Sequence, residues 1–157
     1  MVLSTPPQSL IDMNSLPIEF DISTTDAAAE LGIQVWIDDL CVHQHSHVAE
    51  TYHFRHDIND DVEMIHKLTI CMTGKTSDHT QLDSTGNIVK DAMLGIHNIT
   101  LDENDIANIF YKIATYRHDF NGTGVEHAEK FFGHMGCNGA VTFEFATPGY
   151  QWLLENM

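Results

Sequence analysis

The most constraining feature of this sequence is the alternation of apolar and polar side chains in two segments, 62–73 and 140–146. In the first, even positions are apolar apart from one histidine and most odd positions are polar: Val62, Met64, His66, Leu68, Ile70 and Met72 against Glu63, Lys67, Thr69 and Thr73. In the second, one face carries Val141, Phe143 and Phe145, and the other Thr142 and Glu144. Because successive side chains of a β-strand point to opposite faces, both segments predict half-buried strands.

Further strands are predicted on the N-terminal side of the second segment. Residues 33–42 are one candidate. Between 92 and 101 the apolar side chains change parity, and a bulge near His97 and Asn98 would return them to one face. The runs DSTGN (83–87) and DEND (102–105) have the composition of turns.

Two segments carry helical signals. Residues 125–132, bounded by glycines, predict one short helix closed by Gly133. Residues 106–116 fit both templates, and their content of Ile, Phe, Tyr and Thr favours a strand. Many short strands with few helices predict an all-β chain. We expect an antiparallel β-sandwich, jelly-roll-like, with the one short helix near 125–132.

The chain of 157 residues is long enough for one domain with a buried core. Residues 1–20 contain Pro6, Pro7 and Pro17 among small polar residues, which predicts an N-terminal arm. Residues 21–157 show no repeat and no internal boundary, so they are expected to form a single β-sandwich domain. Three cysteines without a CxxC spacing predict reduced thiols.

The net charge restricts the partners. Seven basic and 23 acidic residues give a formal charge of −16, spread along the chain. Such a field repels phosphate backbones and anionic lipids, which argues against nucleic-acid and membrane partners. The first residues lack the basic start and apolar run of a signal peptide, and no stretch approaches the roughly 20 apolar residues of a membrane span.

Five histidines lie within residues 42–56 (VHQHSHVAETYHFRH) and raise the question of a metal site. If 42–58 is one strand, His43, His45 and His47 lie on its polar face, opposite the core. The favoured interpretation is a solvated histidine face, with at most weak or adventitious binding of a transition metal. Elsewhere, His66 lies on an apolar face and is expected to be a hydrogen-bonded core histidine rather than a ligand.

The alternative is a metal-dependent, cupin-like enzyme. His43 and His45 with Glu50 resemble the HxH…E core of the cupin metal motif, and His134 with Asn138 resembles its later HxxxN. The glycines that bracket the first cupin motif are absent, no PxG precedes His134, and Glu50 has the wrong parity to join the two histidines. The four candidate metal ligands of this hypothesis are His43, His45, Glu50 and His134.

A second pattern is repeated: FRHDIN at 54–59 and YRHDFN at 116–121. Two His/Asp pairs could converge as an acid–base or metal site. The favoured interpretation is structural: the aromatic side chain enters the core, Arg and Asp pair at the rim, and Asn opens a turn. Under this interpretation the sequence predicts neither a set of catalytic residues nor a cofactor.

The segments 95–106 (GIHNITLDENDI), 116–124 (YRHDFNGTG) and 131–157 resemble small acidic β-sandwich virion proteins of tailed phages of aquatic bacteria, cyanophages included. The resemblance implies a structural role as a capsid decoration, neck or tail accessory protein. It also implies localisation to the virion and, during assembly, to the host cytoplasm, with other virion proteins and copies of the same chain as partners.

The sequence therefore predicts a non-enzymatic structural or assembly protein. Besides the cupin-like enzyme, a glycan-binding module of the same sandwich fold remains an alternative. Its stacking platforms would be Trp36, Tyr150 and Trp152.

Overall fold

The computed structural model describes residues 14–157. Their strands in chain order are β1 (Ser15–Thr24), β2 (Gly32–Ile37), β3 (Leu40–His45), β4 (Tyr52–Asn59), β5 (Met64–Thr73), β6 (Thr80–Leu82), β7 (Ile88–Asp91), β8 (Leu94–Leu101), β9 (Asn104–Asp105), β10 (Thr115–His118), β11 (His127–Lys130), β12 (His134–Met135) and β13 (Gly139–Thr147). Two helices, α1 (Ala107–Ile113) and α2 (Gly149–Asn156), accompany them. Neither helix is long and apolar enough to cross a membrane.

The strands form two antiparallel sheets that pack face to face, so the predicted all-β sandwich is confirmed. Sheet A has the order β12-β8-β1-β4, with β9 paired to β8, and sheet B has the order β11-β10-β13-β5-β2-β3. Strands β6 and β7 pair only with each other and form a separate hairpin. The chain therefore has one layered body and one appended hairpin.

The alternating patterns place the core between the two sheets. In β5 and β13 most of the predicted inward side chains are buried: His66, Leu68, Ile70 and Met72, and Val141, Phe143 and Phe145. Val62 and Met64, which share the parity of the buried residues of β5, are exposed at its start. In β1 the even positions from Leu16 to Ile22 face them from sheet A. Each such aliphatic or aromatic side chain stabilises the fold by about 1.5–3 kcal/mol on burial. The register of β1 with β8 shifts between Glu19 and Asp21, and Asn98 has φ 57°, which confirms the predicted bulge.

The prediction of a strand over residues 106–116 is wrong, because these residues form helix α1 followed by the start of strand β10. Asp105 Oδ1 accepts a hydrogen bond from Ala107 N (2.9 Å), the amide of the first helical residue. Ile109 and Phe110 are buried on one side of the helix, and the Phe110 ring packs against Phe143 at 5.0 Å. The helical spacing of the apolar residues outweighs their strand propensity because it buries one stripe between the sheets.

The prediction of a short helix over residues 125–132 is also wrong, because this segment contains strand β11 and no helix. Thr115 pairs with Lys130 and His118 with His127, so this segment extends sheet B beyond β10. Val125 is 64% exposed, and most side chains of β11 are exposed as well. With no apolar stripe to bury, the segment gains more from pairing with β10 than from a helical turn.

The predicted arm and two predicted strands have different bounds in the structure. Residues 15–20 belong to β1, a central strand of sheet A, and only residues 1–13 of the predicted arm lie outside the described residues. The candidate strand 33–42 is divided by a turn at Asp38 (φ 55°) into β2 and β3. The candidate strand 42–58 is likewise divided, because residues 46–51 form a loop between the two sheets.

Candidate functional site

His43 does not lie on an outward polar face, which corrects the sequence prediction. It pairs with the buried Val35, and directly paired residues share one face of a sheet. Its ring stacks on Tyr52 of β4 (centroids 4.5 Å apart, planes at 9°). Burial and the nearby His45 hold the pKa of His43 below its usual range. The reversal follows from a register shift in the β2–β3 hairpin, which leaves Val42 without a partner in the ladder.

The other members of the predicted histidine face are separated from His43. His45 is exposed at the end of β3, and His47 lies in the following loop, where its Nε2 contacts the Ala27 carbonyl oxygen. His47 thus fastens the loop to a 3₁₀ turn formed by residues 27–29. The three imidazoles therefore do not form one surface.

The cupin-like ligand set is not assembled. Glu50 is exposed in the loop 46–51, and His134 lies in β12 opposite Gly95. Strands β12 and β4 are opposite edges of sheet A, and His43 contacts β4. The structure therefore places His134 across the sheet from His43, and these residues do not form a shared metal site.

The structure does bring together a different set, His118 of β10 with His127 and Glu129 of β11, in which the ligand atoms lie within 4.8 Å of one another. Within residues 14–157 this is the cluster whose spacing could hold a metal ion. His127 Nε2 lies 2.9 Å from Glu129 Oε2, and His118 Nε2 lies 3.6 Å from Glu129 Oε1. Glu129 therefore bridges the two imidazoles at the edge of sheet B. An open depression of about 420 Å³ lies beside His118.

One hydrogen bond argues against a metal at His118. The Phe120 amide donates to His118 Nδ1 (3.2 Å), so that nitrogen carries no proton. In a neutral imidazole the proton is then on Nε2, which faces Glu129 and has no free lone pair for a cation. A metal-bound histidine normally donates a hydrogen bond through its other nitrogen, and here that nitrogen accepts one. The cluster is therefore best described as a His–Glu–His clasp, in which His127 is hydrogen-bonded to Glu129 and His118 lies 3.6 Å from the same carboxylate.

This arrangement predicts the outcome of a zinc titration. We expect the purified chain to bind Zn²⁺ weakly, and a His118→Gln variant to bind it with the same affinity, because His118 offers no free nitrogen. Isothermal titration calorimetry of both proteins measures this. Tight binding of one equivalent that is lost in His118→Gln would contradict the assignment.

Comparisons with known proteins add no assignment to this geometry. No protein-family model, no curated protein and no solved structure matches the chain. The phage-like resemblance therefore remains a prediction from the sequence.

A second polar network crosses the outer face of sheet A. His53 Nε2 lies 2.9 Å from Glu19 Oε1, and His53 Nδ1 lies 2.7 Å from Asp21 Oδ1. Hydrogen bonds to Glu19 and Asp21 raise the pKa of His53 above 6.5. The Asn98 side chain donates to Asp21 Oδ2 (2.9 Å), and this bond together with His53 lowers the pKa of Asp21. The network ties three strands together across the sheet.

The raised pKa of His53 predicts a small pH dependence of stability. Its contribution is complete below about pH 6.5 and is lost as the pH rises through the folded-state pKa. Because the side chain is 57% exposed, we expect less than about 1 kcal/mol. Urea unfolding at about pH 6 and about pH 8 should show a smaller pH dependence in His53→Gln than in the wild type. His45→Gln is the control, since His45 is exposed on the other sheet, and an identical pH dependence in all three proteins would refute the pairing.

His66 is the hydrogen-bonded core histidine that the sequence predicts. It is 5% exposed, with Nδ1 2.9 Å from Asp38 Oδ2 and Nε2 3.2 Å from Thr147 Oγ1. Burial raises the pKa of Asp38, but hydrogen bonds from His66 and from the Lys67 amide outweigh it and the pKa is lowered. The three side chains connect the β2–β3 turn to the ends of β5 and β13, which is a structural role.

The repeated FRHDIN and YRHDFN segments do not converge. The first lies in β4 of sheet A, and the second begins in β10 of sheet B. In the first, Phe54 is buried, Arg55 pairs with Asp57 (3.2 Å), and Asn59 Oδ1 accepts from the Asp61 amide (2.9 Å). The structural interpretation is confirmed there. In the second, Tyr116 is buried, and His118 belongs to the clasp.

The aromatic residues of the glycan-binding hypothesis have different environments. Trp152 is 9% exposed and packs edge-on against Phe143 and Phe145, so it belongs to the core. Tyr150 is 66% exposed on α2, and Trp36 is half-buried in β2, where its Nε1 donates to Gln34 Oε1 (3.2 Å).

The hairpin β6–β7 is the surface feature that the sequence did not single out. It turns at residues 83–87, where Asp83 Oδ1 accepts from the Thr85 and Asn87 amides, as the DSTGN composition predicts. Leu82 and Ile88 are paired across it, and with Val89 they are 59%, 62% and 62% exposed. Residues 81–90 are all exposed. The hairpin therefore presents three apolar side chains, Leu82, Ile88 and Val89, outside both sheets and next to its polar turn, and we call these three residues the apolar tip.

Proposed function

We propose that this chain is a non-enzymatic assembly protein, and specifically a structural component of a phage virion such as a capsid decoration, neck or tail accessory protein. The observation that carries this proposal is the apolar tip formed by Leu82, Ile88 and Val89. Exposed apolar side chains gain free energy when a partner covers them. The tip is therefore the surface through which the protein attaches to its assembly.

The base of this hairpin is held firmly, which suits a docking role. Asp91 Oδ1 accepts from Thr80 Oγ1 (2.7 Å) and from the Lys75 ammonium, and the Ala92 amide donates to the His79 carbonyl (3.0 Å). Thr25, which directly follows β1 of sheet A, donates from its hydroxyl to the Asp91 carbonyl (2.8 Å). Because the tip is oriented before it binds, little conformational entropy is lost on association.

The net charge indicates which kind of partner surface the chain can bind. At −16 the chain repels other acidic surfaces, so its attachment site on a partner is expected to be apolar and neutral or basic. The same repulsion acts between copies of the chain, so contacts between copies would also use apolar patches. Nucleic acid and anionic membranes remain unfavourable partners.

The non-enzymatic part of the proposal is supported by the polar clusters described above. The cupin-like residues are dispersed, both ring nitrogens of His66 have hydrogen-bond partners, and the clasp engages His118 Nδ1 and His127 Nε2. His66 links the β2–β3 turn to β5 and β13, and the clasp links the neighbouring strands β10 and β11. We therefore assign them to stability.

Mass spectrometry tests the virion role. Particles whose genome encodes this chain, purified on a density gradient, should contain it in a fixed number of copies relative to the major capsid protein. Its absence from such particles, together with its presence in the soluble fraction of infected cells, would overturn the virion proposal.

A further inference from the structure

A groove of about 490 Å³ runs between the start of β5, the end of β13 and helix α2. Its apolar lining consists of Met64, Ile65, Ala146, Pro148 and Trp152, and Glu63, Thr147, Gln151 and Glu155 complete it. Ile65 is 69% exposed and Met64 44%, although both are large apolar side chains next to a core tryptophan. An apolar segment that covers these two side chains would gain free energy by removing them from water.

The first described residue, Asn14, lies near this groove. The Asn14 carbonyl accepts from the Asp60 amide (2.9 Å), and Asp60 Oδ1 accepts from the Gly149 amide at the start of α2 (2.7 Å). Leu16 packs under Gly149, where an added Cβ would lie 2.5 Å from Leu16 Cδ1. Asn14 is thus two hydrogen bonds from Gly149, whose neighbour Pro148 lines the groove.

Residues 1–13 (MVLSTPPQSLIDM) have the composition to fill it. Leu10, Ile11 and Met13 lie within four positions of Asn14, and the segment has no Lys or Arg and only one acidic residue, Asp12. At about 3.3–3.6 Å per extended residue, Ile11 reaches roughly 10 Å from Asn14. No long connection is needed to bring Leu10 and Ile11 to the groove.

We propose that residues 1–13 dock in the groove of their own chain, with Leu10 and Ile11 against Ile65 and Trp152. A tethered segment has an effective concentration in the millimolar range, far above that of a free competitor. A second copy would bring its −16 charge towards the acidic rim formed by Glu63 and Glu155. The proposal is independent of the virion assignment, because it concerns how the chain covers its own surface.

Trp152 provides the measurement. In a full-length Trp36→Phe background Trp152 is the remaining tryptophan of the two in the chain. Adding Leu10→Asp/Ile11→Asp should increase acrylamide quenching of Trp152 and move its emission to longer wavelength. The matched control is Ser4→Asp/Ser9→Asp, which adds the same charge at polar positions of the same segment and should change neither. Circular dichroism verifies that all variants are folded.

A second experiment does not depend on these charged variants. An Ile11→Cys/Ile65→Cys chain should form an intramolecular disulfide under mild oxidation, found by peptide mass spectrometry of the monomer. An Ile11→Cys/Val125→Cys chain should not, because Val125 follows β10 on the loop near Gly139, at the opposite end of β13 from the groove. Unchanged Trp152 quenching with no disulfide would overturn the proposal. A disulfide found only in dimers would also overturn it, in favour of a second copy as the occupant.

Discussion

Replacing Asp91 by alanine should lower the free energy of unfolding by about 3–5 kcal/mol, because it leaves a buried ammonium group without its counter-ion. The Lys75 side chain is 1% exposed, and its Nζ contacts Asp91 Oδ1 and the Gly136 carbonyl (2.6 Å). Asn138 holds the same segment, since its Oδ1 accepts from the Lys75 amide and its Nδ2 donates to the Lys75 carbonyl. With its backbone held by Asn138, the Lys75 side chain can turn its ammonium towards water only by breaking the bond to the Gly136 carbonyl.

Urea unfolding followed by circular dichroism measures this effect. The control is Lys90→Met, which removes an exposed ion pair with Asp26 (3.4 Å) and should cost less than about 1 kcal/mol. A Lys75→Met/Asp91→Leu double variant should recover part of the loss, since an apolar pair removes the unpaired charge. An Asp91→Ala cost as small as that of Lys90→Met would show that the pair is solvated.

Replacing Phe110 by alanine should also cost about 3–5 kcal/mol, because it leaves a cavity between the two sheets. Phe110 is 0% exposed, and its ring lies 5.0 Å from that of Phe143 and 5.6 Å from that of Phe131. Helix α1 places this side chain in the core. The same substitution would be mild if residues 106–116 formed an edge strand.

The matched control is Phe132→Ala, which removes the same atoms from a side chain that is 75% exposed. It should change the free energy of unfolding by no more than about 0.5 kcal/mol. Both variants are compared by urea unfolding under one set of conditions. Equal costs at the two positions would contradict the packing of α1.

The fold could be predicted from the sequence where one face of a strand is buried throughout. In β13, and in β5 from His66 onward, the periodicity of two is unbroken, so parity alone predicts the core there. Prediction from periodicity failed where contacts between distant segments determine the local structure. Helix α1 has only seven residues, and its propensity and its spacing favour different structures, which only packing between the sheets resolves.

The candidate site was predicted less well, because it depends on which strands pair. Parity failed in the histidine-rich segment, since a register shift in the β2–β3 hairpin turns His43 inward and the loop 46–51 separates the histidines. His127 and Glu129 share one parity, but they were assigned to a helix, so their approach to His118 could not be foreseen. The Lys75–Asp91 pair joins a loop to the end of β7, sixteen positions further along the chain, and no periodic pattern in the sequence indicates it.

The most direct test of the assembly role changes the apolar tip and leaves the sandwich intact. A Leu82→Ser/Ile88→Ser variant should keep the wild-type circular dichroism spectrum and urea midpoint, because both side chains are exposed. Quantitative mass spectrometry of purified particles should then find it strongly depleted relative to the major capsid protein, whereas a Val125→Ser control is retained in full. A folded tip variant that is retained in the same copy number as the wild type would contradict the account.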